Sequence, residues 1–326
     1  MKVVPQKVSL EDRVMILEQM ILIRIFEDHT AKQYQQRNVG GFCHLYNGQE
    51  AIACALKYCS SEHDKAISTY RIHGFMLVYG TDPKYVMAEL LGRKHGVSKG
   101  KGGSMHMFNR SANFFGGHGI VGATGPLGTG LAFSNQYQGL DGVSFTCCGD
   151  GAMNQGQIYE SFNMAKIWNL PVVYIIENNK YGMGTAISRV SSSEDLYIRG
   201  RSFEIPGYEV NGMDVLEIIN YVTAARKYCL KNGPIILEMK TNRYKGHSVS
   251  DPAKYRSKEE VDYIKNNFDC IEGLKSNILA EDPSREEELL GITKRVKKIV
   301  QEAVDFALSD ELPGEEELFT DIYLSS

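Results

Sequence analysis

Several things are scarce in this chain of 326 residues, and each scarcity narrows what it can be. Its seven cysteines are odd in number and scattered, with no Cys-x-x-Cys pair, so neither a disulfide framework nor a zinc site is indicated. Cys147-Cys148 falls in an apolar run, where cysteine acts as a small hydrophobe. No apolar stretch approaches the roughly 20 residues that span a bilayer. Basic residues number 36 against 40 acidic ones, a net charge of -4 without a dense basic run, which removes nucleic acid and anionic membrane from the expected partners. The opening Met1-Lys2-Val3-Val4-Pro5 has neither a secretory apolar core nor the Arg- and Ser-rich look of a transit peptide, so a bacterial cytoplasmic protein is expected. Repeats and low-complexity tracts are also lacking.

What is present is a spacing. Gly149-Asp150-Gly151 is followed by 26 residues and then by Asn178-Asn179. Each pair of motifs follows a short apolar run, 143–148 and 171–176, rich in β-branched or aromatic residues, as strands covered on both faces should be. Between them Ile158, Phe162, Ala165 and Ile167 recur at roughly helical intervals, and Asn169 with Pro171 stops the helix. The unit is a βαβ crossover, and ligands of such units collect beyond the carboxyl ends of the strands.

Asp150 and Asn179 both fall at that edge. A carboxylate, an amide oxygen and a backbone carbonyl from the following loop suit a hard cation such as Mg²⁺, with phosphate oxygens and water completing its shell. Gly151 lets a diphosphate approach the backbone, and the N–H groups opening the next helix favour an anion. A lone Gly-Asp-Gly is more often a turn; the paired asparagines across a crossover make the ligand site the better reading.

The rest of the chain frames this unit as an α/β fold, a parallel sheet with helices on both faces. Ser9-Leu10-Glu11-Asp12 resembles a capping box that opens a long helix, and residues 1–38 form a helical arm. The α/β domain spans 39–256. From 257 to 326 the chain is charged and helical, with Ile292, Val296, Ile299, Ala303 and Ala307 on one apolar stripe that packs on the body or on a partner. A helix over 48–58 and short strands at 66–70 and 235–240 are also expected. Gly125-Pro126-Leu127-Gly128-Thr129-Gly130 leads into a helix over 131–137; its spacing and its proline do not fit a dinucleotide loop, and close helix packing explains the glycines better. The polar stretches 188–201 and 245–256 are expected to be weakly ordered until a diphosphate is bound.

Gly149-Asp150-Gly151 with Asn178-Asn179 resembles the fingerprint of thiamine diphosphate-dependent enzymes. The segments 41–51 (Gly-Phe-Cys-His-Leu-Tyr-Asn-Gly-Gln-Glu-Ala), 70–74 (Tyr-Arg-Ile-His-Gly), 100–106 (Gly-Lys-Gly-Gly-Ser-Met-His) and 243–248 (Arg-Tyr-Lys-Gly-His-Ser) resemble the E1 component α subunits of the 2-oxo acid dehydrogenases, in the pyruvate form. The similarity runs from about Leu22 to Arg256. It implies a thiamine diphosphate-binding fold and dependence on thiamine diphosphate and Mg²⁺. It places Tyr70, Arg71 and His247 on the diphosphate, Gly119 and Val121 under the aminopyrimidine, and Gly151 and Ala152 against the cofactor. Asp150, Asn179 and the carbonyl of Tyr181 become the metal ligands. His44 is placed near the 2-oxo acid, so that His44 and His247 are the catalytic candidates. The resemblance also implies an E1 β subunit in an α2β2 heterotetramer, which brings the glutamate that activates the aminopyrimidine, and an E2 lipoyl domain that receives the two-carbon unit. Pyruvate is the expected substrate, with acetoin or branched-chain 2-oxo acids as the alternative within the family.

Overall fold

In the computed structural model, which describes residues 1–323, the βαβ unit sits at the centre of a six-stranded sheet that is parallel throughout. The strands are β1 (Lys65–Thr69), β2 (Phe114–His118), β3 (Ser144–Gly149), β4 (Val172–Asn178), β5 (Gly207–Asn211) and β6 (Ile235–Lys240). Their spatial order is β2-β1-β3-β4-β6-β5. Every residue of β4 is buried. Its alternate side chains serve two cores: Val173 and Ile175 join the larger one, and Val172, Tyr174 and Ile176 the smaller. That is the two-residue period of a strand covered on both faces.

The larger core is closed by α1 (Leu10–Gln35), α2 (Glu50–Cys59), α3 (His73–Val78), α4 (Pro83–Leu90), α7 (Val215–Asn232), α9 (Cys270–Glu281) and α10 (Glu286–Ser309). Helix α1 opens at Ser9, whose hydroxyl accepts from the N–H of Asp12 at 3.1 Å, and buries Ile16, Leu17, Met20, Ile23 and Phe26. Helix α10 packs on α1 and α4. Its buried row is Leu289, Ile292, Val296, Val300, Ala303, Val304 and Ala307, while Ile299 lies at the exposed edge of the stripe, a departure from the expected pattern. The smaller core lies under α5 (Thr124–Tyr137) and α6 (Gly156–Ile167), and α8 (Lys258–Phe268) links the body to α9.

Helix α5 begins seven residues earlier than expected and absorbs the glycine-rich segment. A Cβ at Gly128 would lie 2.0 Å from Thr146 Oγ1 on β3, and one at Gly125 would lie 2.7 Å from Ile158 Cδ1 on α6. The glycines are there so that the helix can lie directly on the sheet, which sets the height of the loops at the strand ends. In the stretches 188–201 and 245–256, Arg199 donates to the carbonyl of Met153 at 2.6 Å, and Arg256 to those of Arg243 and Lys245 at 2.6 and 2.9 Å. All seven cysteines are free thiols, and only Cys59 is not fully buried. Among the described residues no helix is long and apolar enough to cross a membrane.

Candidate functional site

The chain leaves β1 towards β2 on one side and leaves β3 towards β4 on the other, so the crevice between β1 and β3 is the switch point of the sheet. Crevices of this kind are where open α/β sheets bind ligands, because the diverging loops leave room above the strand ends. Tyr70 and Arg71 follow β1, Asp150 follows β3 and Asn179 follows β4. A cavity of about 270 Å³ opens there, lined among others by Tyr70, Arg71, Val121, Asp150, Gly151, Ala152, Asn179 and Tyr181.

The two asparagines divide their work. Asn178 is spent on structure: its amide donates to Glu238 at 2.6 Å, and its oxygen accepts from the N–H of Lys180 at 3.0 Å, fixing a turn in which Lys180 has a positive φ of 71°. Asn179 donates to Gln49 Oε1 at 3.0 Å, and this leaves its own Oδ1 buried without a partner. A buried acceptor with nothing to accept is costly unless a ligand completes it. Beside it, Asp150 is 5% exposed, and burial pushes its carboxyl up to about 6, although backbone N–H groups and the charge of Arg243 pull the other way. Gly151 faces Gly182, where a Cβ would meet the opposite Cα at 3.4 Å, so the two loops close on each other around this pair. Asp150 and Asn179 thus fit a hard cation. Among the described residues no group of three or more His, Cys, Asp or Glu could hold a metal alone, so the further ligands have to be backbone, water or ligand oxygens.

The carbonyl of Tyr181 is engaged by another cation: Arg243 Nη1 donates to it at 3.2 Å. The same guanidinium donates to the carbonyl of Met183 at 3.0 Å and to the Tyr255 hydroxyl at 2.9 Å. Arg71 is also held, with Nη1 on the carbonyl of Leu45 and Nη2 on that of His247 at 2.9 Å. Burial and the neighbouring Arg243 lower its pKa. Two arginines at one end of a cavity are a suitable recess for an anion.

His44 and His247 do not line this cavity. They line a second one of about 420 Å³ with Phe42, Gly184, Ser248 and Tyr255, and Met183 belongs to both walls. Their ring centroids are 4.9 Å apart, and Tyr70 lies 4.4 Å from His44. Burial, helped by the charge of Arg71, lowers the imidazole of His44 to about 3; burial, Arg71 and Arg243 lower that of His247 to about 4. Both rings are neutral at pH 7 and can donate from one nitrogen and accept at the other. Gly119 does not line the first cavity and packs against His106, where a Cβ would be 3.2 Å from the ring.

Gln49 and Glu177 were not singled out from the sequence as site residues, yet both line the first cavity, as does His118, which the sequence left open. Glu177 accepts from the Tyr46 hydroxyl, and burial pushes it up to about 7, against the pull of Tyr46 and Arg71. Its position directly before Asn178-Asn179 was the one available signal.

Residues 18–316 match the family described as dehydrogenase E1 component. The chain belongs to that family. Among its E1 relatives, the pyruvate dehydrogenase E1 component subunit alpha of Rhizobium meliloti is 53% identical over 317 residues, covering 97% of this chain and 91% of that protein. The protein of the same name from Rickettsia bellii is 51% identical, with 96% of each chain covered. The mitochondrial one of Saccharomyces cerevisiae is 47% identical over 94% of this chain and 73% of its own length. E1 family membership implies dependence on thiamine diphosphate, and the residues of the first cavity fit the anionic end of such a cofactor: an orphaned amide oxygen beside a carboxylate, two arginines and a glycine approach.

Proposed function

We propose that this chain is the α subunit of the E1 component of a pyruvate dehydrogenase complex, acting with a β subunit in the oxidative decarboxylation of pyruvate and the reductive acetylation of the E2 lipoyl group. The observation that carries the site reading is the pairing of Asp150 with the unpartnered Oδ1 of Asn179 at the switch point of the sheet. The choice of pyruvate follows the relatives, named pyruvate dehydrogenase E1 component subunit alpha at about half identity over nearly the whole chain.

Thiamine diphosphate, when bound, supplies a nucleophilic carbon and an electron sink for the loss of CO₂. This chain's part is to hold and orient it. Asp150 and Asn179 would hold Mg²⁺, and the Tyr181 carbonyl, which accepts from Arg243 here, would be the third protein ligand. Arg71 and Tyr70 would hold the phosphate oxygens from the β1 side, and His247 would reach them from the neighbouring cavity. Ala152 and Gly151 would form the floor and Val121 would lie under the aminopyrimidine, while Gly119, packed on His106 outside the cavity, would act through the loop that carries Val121. His44, neutral and with its Nδ1 buried without a partner, faces the 2-oxo acid as a hydrogen-bond donor, with His247 beside it.

A partner chain is supported by the outer face of α5 and α6. Leu127, Phe133, Tyr137, Met164, Ile167 and Trp168 are all exposed there, with Phe133 5.6 Å from Trp168 and 6.0 Å from Tyr137 between ring centroids. An apolar, aromatic face of this kind is the composition of a subunit interface. The working assembly is an α2β2 heterotetramer, served by an E2 lipoyl domain, in a bacterial cytoplasm. Within the chain, 39–256 is the cofactor-binding unit, and 1–38 and 257–326, of which 324–326 lie outside the described residues, are its N- and C-terminal extensions.

The test is reconstitution. Assembled with a β subunit, the enzyme is expected to decarboxylate pyruvate in the presence of thiamine diphosphate and Mg²⁺ and to acetylate a lipoyl domain, while the α chain alone does neither. Preference for a branched-chain 2-oxo acid or acetoin in a substrate panel would overturn the pyruvate assignment; turnover by the α chain alone would overturn the need for a partner.

A further inference from the structure

Behind the second cavity lies a buried line of polar groups for which the cofactor chemistry has no use. Glu27 on α1 and His73 at the start of α3 are fully buried, and Ser104 is 3% exposed. His73 Nδ1 is 2.8 Å from Glu27 Oε2, and His73 Nε2 is 2.8 Å from Ser104 Oγ. The line ends on the backbone of the segment that carries His44: the N–H of His44 donates to Ser104 Oγ at 3.3 Å, and that of Tyr46 donates to Glu27 Oε1 at 2.8 Å. Between these two anchors the carbonyl of Leu45 accepts from Arg71. Three consecutive residues are therefore fixed through their main chain by buried side chains.

A main-chain N–H can only donate, so Ser104 Oγ accepts from His44 and Glu27 Oε1 accepts from Tyr46. The hydroxyl keeps its own proton and a second lone pair, so the tautomer of His73 sets the direction of the Ser104–His73 bond, and the other ring nitrogen meets the Glu27 carboxyl. A serine hydroxyl, an imidazole and a carboxylate in this sequence resemble a nucleophilic triad in geometry. Here the serine is sealed from solvent and accepts from a peptide N–H, so the arrangement holds a loop in place.

We propose that Glu27, His73 and Ser104 are positioning residues for the His44 imidazole, which they place against Tyr70 and His247 by fixing the backbone on both sides of it. The inference rests on the reading of His44 as the residue facing the 2-oxo acid. Burying a carboxylate, an imidazole and a hydroxyl is costly unless each is fully paired. Placing them on the peptide groups flanking one side chain serves the precision of that side chain. An error of about 1 Å in the placement of a reacting or orienting group lowers turnover on the order of a hundredfold, so a partial release should cost about tenfold.

The experiment uses the reconstituted enzyme with its β subunit. Ser104→Ala is expected to lower kcat/KM for pyruvate by about tenfold, with thiamine diphosphate affinity by calorimetry changed by less than about twofold. Ser104→Thr, which keeps the hydroxyl, should recover most of the loss. In a His44→Ala background the effect of Ser104→Ala should shrink to within about twofold, because a residue acting through another contributes nothing once the other is gone. An equal loss in both backgrounds overturns the inference, as does unchanged pyruvate kinetics in the single variant. Glu27→Gln, which keeps size and an acceptor for Tyr46, provides a second entry to the same cycle should Ser104→Ala fail to fold. A readout without turnover is carbethoxylation of the two histidines, quantified by peptide mass spectrometry. Release of the loop should raise the rate at His44 relative to His247 by roughly threefold, and an unchanged ratio overturns the inference. Absence of any 2-oxo acid turnover in the unmodified enzyme refutes the functional reading instead, and the carbethoxylation ratio then decides the inference alone.

Discussion

Asp150→Asn should make the cofactor-free protein more stable and unable to bind its cofactor. Burial holds the folded carboxyl near 6, against 3.8 for the free side chain. A carboxyl raised in this way binds more protons folded than unfolded, so ionising it costs stability. That cost is absent below about pH 3.8, grows as pH rises through the window between the two values, and is complete above the folded value. Two values about two pH units apart correspond to about 3 kcal/mol near pH 8 and to roughly half of that near pH 5. The asparagine keeps an oxygen for the backbone N–H groups of Gly151 and Asn179 without a charge to desolvate, so it should recover most of this amount. The assay is urea denaturation of the cofactor-free protein near pH 8 and near pH 5, with and without thiamine diphosphate and Mg²⁺. The unmodified protein should gain about 2.7 kcal/mol from cofactor at a hundred times its dissociation constant, and the variant nothing. A cofactor-free variant less stable than the unmodified protein near pH 8 would refute the claim that the site stores the cost of an uncompensated buried charge.

Gly128→Ala should destabilise the chain by about 3 kcal/mol, since the new methyl falls 2.0 Å from the buried Thr146 hydroxyl, and thermal unfolding should show this cost reduced when Thr146→Ala is combined with it. His247→Gln bears on the acid side. The folded imidazole is held at about 4, below its ordinary 6.5, so the unfolded chain binds the extra proton and stability falls as pH drops through that window. The variant should lose less stability between about pH 7 and pH 5 than the unmodified cofactor-free protein, and equal losses in denaturation curves would contradict the assignment.

The centre of the fold could be read from the sequence because strands buried on both faces must be continuous apolar runs. Ile235–Lys240 was expected with its observed bounds, and the strands ending at Gly149 and Asn178 to within two residues. The outer strands carry no such signal. Phe114–His118 contains two glycines, and Gly207–Asn211 has exposed and half-buried positions, so both take their strand geometry from the neighbour they pair with. Asp150 and Asn179 were legible for the same reason as the central strands: a crossover of fixed length returns its second strand next to its first. The approach of His44 to His247 had no such rule behind it, since the two loops are about two hundred residues apart in sequence and are joined by Arg71, which donates to the carbonyls of Leu45 and His247, and by the N–H of Val249 on the carbonyl of Cys43. That Asn178 supports the turn and Asn179 faces the cavity likewise depended on Glu238, which no local pattern connects to them.

The seven free thiols amount to a clock distributed through the molecule. Cys147 and Cys148 sit in the central strand, Cys54, Cys229 and Cys270 on three different helices, and Cys43 beside His44. Burial raises each of these thiols, Cys43 and Cys148 to about 12, so an alkylating reagent finds almost no thiolate until the surrounding structure opens. Only Cys59 is partly exposed as a residue, and even there burial holds the thiol at about 11. The time at which each cysteine becomes labelled therefore records when its own region comes apart, and Cys43 keeps that record for the segment that carries His44.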